Sequence, residues 1–223
     1  MNNNTSIYFL ISDSEQDNKK NHLSKLTEEH KKILNSNLLK NAFEQVNNFD
    51  QIKKYILTPE QHETIKNSNY AVIYYNKEKS VFEKIIEMQP EENEKYIFIN
   101  SNVIGFSKDV IKRIKDLLLY DGEAIVIGKT IDNRICFIGT NFIDTTLLNH
   151  IVASNNNYDK LLSRIKRDNV FYFILNNFLK IETLKDFKEL YAVLSDKKSE
   201  NFCTGEIHES FTNLFIEYKE LLQ

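Results

Sequence analysis

Residues 124–139 read AIVIGKTIDNRICFIG. Two apolar, β-branched runs, Ala124–Gly128 and Ile135–Gly139, flank the stretch Lys129–Arg134, which is polar except for Ile131. Short continuous apolar runs of this kind are expected as buried strands. Only six residues separate them, so an antiparallel pair is expected, with Asp132 and Asn133 in the connection. Asp-Asn is good turn chemistry, because both side chains can hydrogen-bond to nearby backbone. A single acid between two buried strands can also be a functional group, and composition alone does not choose between the two roles.

Outward from this pair, further strands are expected at SIYFLI (6–11), YAVIYY (70–75), YIFIN (96–100) and VFYFIL (170–175). Helical spacing separates them. Leu23, Leu26, His30, Ile33, Leu34, Leu38, Ala42 and Val46 recur at three- and four-residue steps and predict an amphipathic helix over 22–46, with His30 on its apolar stripe as a core or boundary residue. Other helices are expected at 79–88, after the N-cap Ser107, at 143–152 and 157–167, and from Thr183 to Leu194. Polar connections fall at Ser12–Asn21, 89–95 and 195–205.

Buried strands alternating with helices predict an α/β fold: a mixed, mostly parallel central sheet flanked by helices. In such sheets ligands bind beyond the carboxyl ends of the strands. The α/β domain is expected to span 1–195. Residues 196–223 form a C-terminal helical extension whose stripe, Ile207, Phe211, Leu214, Phe215, Tyr218, Leu221 and Leu222, is too long to leave wet. It is expected to pack on the domain or on a second copy in a homodimer.

Composition narrows the function classes. The 223 residues carry a formal charge of −3 and are 41% apolar, so the chain can build a sizeable core and lacks the overall basic character of a nucleic-acid binder. The two cysteines, Cys136 and Cys203, make no disulfide framework. The first fifteen residues hold only five consecutive apolar positions, Ile7–Ile11, without a basic segment before them, and no stretch approaches the ~18 apolar residues of a membrane span. A cytoplasmic protein without a membrane span is expected.

Several familiar sites are missing from the sequence. It has neither G-x-G-x-x-G nor G-x-x-x-x-G-K-[ST], and no G-x-S-x-G elbow. His62-Glu63 opens like a zinc-protease motif, but Lys66 stands where the second histidine would be. Cys203 and His208 are two residues where a structural zinc site wants four.

Three stretches, in order, resemble a known family. YIFINSNVIGFSKDVI (96–111) matches a strand, then Gly-Ser-Asp, one residue, Pro-Gly-Leu-Thr and a helix, with Asn100-Ser101-Asn102 and Ile104-Gly105-Phe106-Ser107 at those positions. The opening stretch matches apolar-Gly-Pro, two residues, Asp-Gly-Gly, two aromatics, then apolar-Ile-Gly; Gly128, Asp132, Phe137, Ile138 and Gly139 keep the spacing, while Lys129 replaces the proline and Asn133-Arg134 the glycine pair. FLKIETLKDFKEL (178–190) resembles a closing strand, an acid-threonine pair and a helix, with Glu182, Thr183 and Asp186 at the polar positions. Thr183 and Asp186 equally suit a helix N-cap and a first-turn acid. The pattern is similar to the radical-SAM/selenodomain-associated transferase family of small bacterial glycosyltransferase-like proteins, within the GT-A nucleotide-diphospho-sugar transferase superfamily.

The resemblance covers roughly residues 95–194. It implies a GT-A fold and transfer of a sugar, or a related nucleotidyl-activated group, from a nucleoside diphosphate donor, by a glycosyltransferase or nucleotidyltransferase-like enzyme assisted by Mn²⁺ or Mg²⁺. It implies roles for Asp132 as the catalytic acid near acceptor or metal, for Ser101, Asn102 and Asn133 in nucleotide or substrate binding, and for Asn102 as a weak metal ligand. Departures accumulate at these same positions: the aspartate is now Asn102, the glycine pair is gone, the family's tryptophan is absent after Ile151, and the first loop, Ser12–Asp17, is acidic and glycine-free. They imply a degraded active site, or a non-catalytic binding or scaffold protein that needs no metal.

Overall fold

The computed structural model describes residues 4–11, 23–47, 49, 51–61, 63–66, 68–76, 81–88, 94–176, 178–196 and 202–222. The acidic first loop Ser12–Asp17, most of the 89–95 connection, His62 and much of the 195–205 break lie outside them.

The core is a seven-stranded sheet in the order β3-β2-β1-β4-β7-β6-β8. Its strands are β1 (Thr5–Leu10), β2 (Ile52–Thr58), β3 (Ala71–Tyr74), β4 (Lys95–Asn100), β6 (Ala124–Lys129), β7 (Ile135–Thr140) and β8 (Phe171–Leu175). β7 runs antiparallel to both β4 and β6, and the remaining pairings are parallel. The expected mixed, mostly parallel sheet is therefore present. Two short strands, β5 (Val103–Ile104) and β9 (Leu179–Lys180), form a separate antiparallel pair.

Strand periodicity sorts side chains to two faces. On one face Ile7, Phe9, Ile97, Ile99 and Phe137 pack with Leu39, Ala42, Phe43 and Val46 of α1 (Glu28–Asn47) and with Ile111 and Ile114 of α4 (Lys108–Leu117). On the other, Tyr8, Leu10, Tyr96, Phe98, Ile125, Ile127 and Ile138 pack with Ile85 of α3 (Val81–Glu87), Leu147, Leu148 and Ile151 of α5 (Thr145–Ser154), and Leu161 and Ile165 of α6 (Tyr158–Ile165). The short helix α2 (Glu63–Lys66) lies between β2 and β3 in the chain.

A third apolar cluster joins α1 to the C-terminal helices. Leu34 and Leu38 meet Phe187, Leu190 and Leu194 of α7 (Leu184–Ser195) and Ile207, Phe211, Leu214 and Phe215 of α8 (Gly205–Glu217). Asn37 donates to the Ser210 hydroxyl at 2.8 Å across this contact, and the Tyr218 hydroxyl lies 2.7 Å from His30 Nδ1. The chain ends in a short helix, α9 (Lys219–Leu222).

Capping side chains mark four helix starts. Ser107, Asp144, Asn157 and Thr183 each accept a backbone N–H in the first turn of α4, α5, α6 and α7. Within the seven-stranded sheet, β2 is the strand the sequence hides. Lys53 and Lys54 interrupt its apolar run, although Ile56 and Leu57 are fully buried between β1 and β3. Lys53 keeps its ammonium at the surface, 3.3 Å from the buried Glu94 carboxylate.

Candidate functional site

β1, β4 and β6 point the same way, so their carboxyl ends share one rim. Ser101 follows β4 there, and its backbone N–H donates to Leu10 O at 3.1 Å, next to the end of β1. Asn100 turns its amide toward the neighbouring strand and donates to Ile135 O and Cys136 O at 3.1 and 3.2 Å. Asn102 is bound to the stretch after β9: its carbonyl accepts from Ile181 N at 2.9 Å and its amide donates to Ile181 O at 3.3 Å.

The β6–β7 connection forms the adjacent part of the rim. It is a self-bonded turn. The buried Thr130 hydroxyl donates to Asp132 Oδ1 and accepts from Arg134 N at 2.9 Å. Asn133 adopts a left-handed backbone, φ 63°, a conformation asparagine tolerates better than most residues. Its side chain faces α6, accepting from Lys129 Nζ at 2.7 Å and donating to Asp159 Oδ2 at 2.9 Å. Gly128 has a packing reason, since a methyl at its Cα would overlap the Phe137 ring. At Gly139 an added methyl would press on Ile114.

Arg134 organises the rim. Its Nε donates to Asp132 Oδ1 at 3.1 Å. Nη1 reaches Lys180 O, Glu182 Oε2 and Asp186 Oδ2 at 3.2, 3.1 and 2.8 Å, and Nη2 reaches Asp186 Oδ1 at 2.6 Å. The pairing with Asp186 is bidentate, the strongest geometry available to a guanidinium and a carboxylate. Lys180, itself buried, pairs with the other oxygen of Glu182 at 2.9 Å. Three carboxylates thus face two fixed cations.

Electrostatics follow from these contacts. Burial pushes the Asp132 carboxyl up, but hydrogen bonds from Thr130 and Arg134 outweigh it and the group ends below its ordinary value. Glu182 is likewise raised by burial and brought lower by Lys180 and then Arg134. Asp186 is raised by burial and brought lower by Arg134 and the Glu182 backbone N–H. All three are held ionised. Asp186 has a second task. It accepts from Glu182 N and Thr183 N at 2.9 and 2.8 Å, while Thr183 accepts from Asp186 N at 3.2 Å, a reciprocal capping box at the start of α7.

The rim therefore ties Asn102 directly, and Asp132 through Arg134, to one segment, Lys180–Asp186, while Ser101 bonds to the end of β1 and the Asn133 side chain turns to α6. Arg134 and Lys180 carry the electrostatics here and were not singled out from sequence. The available signal was Arg134 itself, a charged residue where the resembled pattern has glycine.

No protein-family model and no curated protein matches the sequence. Solved structures do match in shape. A nucleotide-diphospho-sugar transferase candidate from Desulfovibrio desulfuricans superposes with a TM-score of 0.73 at 11% identity, over 99% of this chain and 97% of its own. A 4-diphosphocytidyl-2C-methyl-D-erythritol synthase from Anaerococcus prevotii gives 0.58 at 9% identity, over 88% and 100%. A CMP:2-keto-3-deoxy-manno-octonic acid synthetase, solved with CTP, gives 0.54 at 8% identity, over 86% and 98%. The fold is that of the nucleotide-diphospho-sugar transferases.

The resemblance implies a divalent cation at this rim, so the donor set matters. Mg²⁺ and Mn²⁺ are hard ions that want carboxylate oxygens free to coordinate. Here the Asn102 amide nitrogen is turned onto Ile181, and Asp132, Glu182 and Asp186 are already bonded to a guanidinium. Among the described residues no three His, Cys, Asp or Glu side chains are arranged to hold a metal ion. As folded, these residues do not fit the ion.

Proposed function

We propose that this is a glycosyltransferase-like protein, ancestrally a sugar transferase related to the radical-SAM-associated family, that binds a nucleotide or nucleotide sugar at the carboxyl rim with its transfer chemistry degraded. The observation that supports this reading is the joining of Ser101–Asn102 and the Asp132 turn to one segment, Ile181–Glu182, at the edge where α/β sheets bind ligands. In this reading Asn102 offers its carboxamide oxygen to a ribose, and Asp132 orients an acceptor hydroxyl. Asp132 suits an acceptor of hydrogen bonds, since its carboxyl is held ionised. It suits a proton-abstracting base less well, because its Oδ1 already serves both Thr130 and Arg134.

The engagement of all three acids by Arg134 favours a second reading, a non-catalytic binding or scaffold protein on the same fold. A thermal-shift panel of UDP-, GDP-, CDP- and dTDP-sugars, each with Mn²⁺ and with chelator, separates the two. A shift with one donor supports nucleotide binding. A shift that chelator abolishes marks a metal-dependent transferase, whereas no shift with any donor supports the scaffold.

A further inference from the structure

We propose that Arg134 takes the seat of the divalent cation, so that the carboxylates of this rim are neutralised by a permanent side-chain charge and the protein is metal-independent. The inference rests on reading this rim as the ligand site; it adds how the charge there is balanced. Three lines converge on it. The first is geometry: one guanidinium bonds acids from two separate elements, Asp132 of the β6–β7 turn and Glu182 and Asp186 at the start of α7.

The second is valence. An arginine has five N–H donors. Nε–H goes to Asp132, both hydrogens of Nη1 face Lys180 O, Glu182 and Asp186, and Nη2 gives one to Asp186. Four of the five donors are therefore committed to the protein, so the side chain is not a free arm for a phosphate. The third is sequence. Arg134 stands where the resembled pattern has a glycine, and Asn102 stands where it has an acid. One change adds a fixed positive charge and the other removes a negative one, which is the pair of changes that replacing a dication requires. Ligands here would bind through hydroxyl and amide contacts rather than through a metal-bridged diphosphate.

The test uses Mn²⁺ alone, without nucleotide, so its outcome does not depend on whether a nucleotide binds. Electron paramagnetic resonance of free Mn²⁺ should be unchanged when the intact protein is added in excess. Stoichiometric loss of the free-ion signal, suppressed by Asp132→Asn or Glu182→Gln, would overturn the proposal. Arg134→Ala strips the guanidinium from Asp132, Glu182 and Asp186, leaving Glu182 with Lys180 and Asp186 with its two backbone N–H donors, and should acquire Mn²⁺ binding at least tenfold tighter than the unmodified protein. A folded Arg134→Ala protein with no such gain would also overturn it. If the alanine variant does not fold, Arg134→Gln, which can still donate to Asp186, takes its place with the same two outcomes.

Discussion

Replacing Arg134 by alanine should destabilise the protein by about 3 kcal/mol at neutral pH. Removing one partner of a buried ion pair typically costs ~3–5 kcal/mol, because the other charge stays buried and unpaired. Asp186 is that charge here, its side chain only 3% exposed. Two terms pull the figure to the low end. Asp186 keeps its bonds from Glu182 N and Thr183 N, and Glu182 keeps Lys180. Asp132, with its side chain 53% exposed, adds little, as exposed pairs do. Urea denaturation should show a lower midpoint at unchanged slope, and the melting temperature should fall by about 6–12 °C, at ~2–4 °C per kcal/mol for a chain of this size. The pH dependence gives a sharper check. Asp132, Glu182 and Asp186 all titrate below their ordinary values in the folded protein. Their stabilisation is therefore present above the unfolded carboxylate value, about pH 4, and is lost as pH falls through the lower folded values. In the variant the unpaired acids protonate more readily, so the gap between the two proteins should narrow below about pH 4. A loss under ~0.5 kcal/mol at neutral pH, or a gap that widens in acid, would refute the reasoning.

Other consequences follow from the packing. Gly128→Ala should cost about 1–3 kcal/mol by overpacking against Phe137, read as a lower urea midpoint; an unchanged midpoint would mean the strand shifts freely. Thr183→Ala removes the acceptor half of the α7 capping box and should cost about 1 kcal/mol by the same assay, with an unaltered midpoint counting against the cap. Removal of residues 205–222 strips cover from Leu34, Leu38, Phe187 and Leu190 and should give aggregation on size-exclusion chromatography; a monodisperse, equally stable product would contradict this packing. Burial pushes the Cys136 thiol up to about 12, so it should react with a thiol reagent at pH 8 only after denaturation, and rapid labelling of the native protein would show the site to be open.

Much of the fold is legible in the sequence because its strands are buried on both sides. Phe9, Ile97, Ile99, Val126 and Ile127 stand in nearly unbroken apolar runs, which is what a two-sided sheet demands. β2 escapes because Lys53 and Lys54 break the apolar run in its first half, so no buried-strand pattern stands out there. α1 serves two cores, with Leu39 and Phe43 toward the sheet and Leu34 and Leu38 toward α7 and α8. The sequence marks its existence but not its two partners. The rim is only half legible. Asp132 and Asn102 are visible through their motif positions, and Thr183 with Asp186 through capping chemistry. Arg134 shows only as a charge in a glycine's place, since its role comes from acids 48 and 52 residues away in the chain that only the fold brings to it.

The most direct test is an anomalous-scattering map from crystals soaked with a nucleoside diphosphate and Mn²⁺. The nucleotide should lie at the carboxyl rim between Ser101–Asn102 and the Asp132 turn, with the Arg134 pairs intact and no Mn²⁺ peak on Asp132, Glu182 or Asp186. Nucleotide seated instead in the polar cavity of about 840 Å³ between Lys40, Lys54 and Tyr70, or Mn²⁺ bound to those acids with Arg134 displaced, would contradict the account.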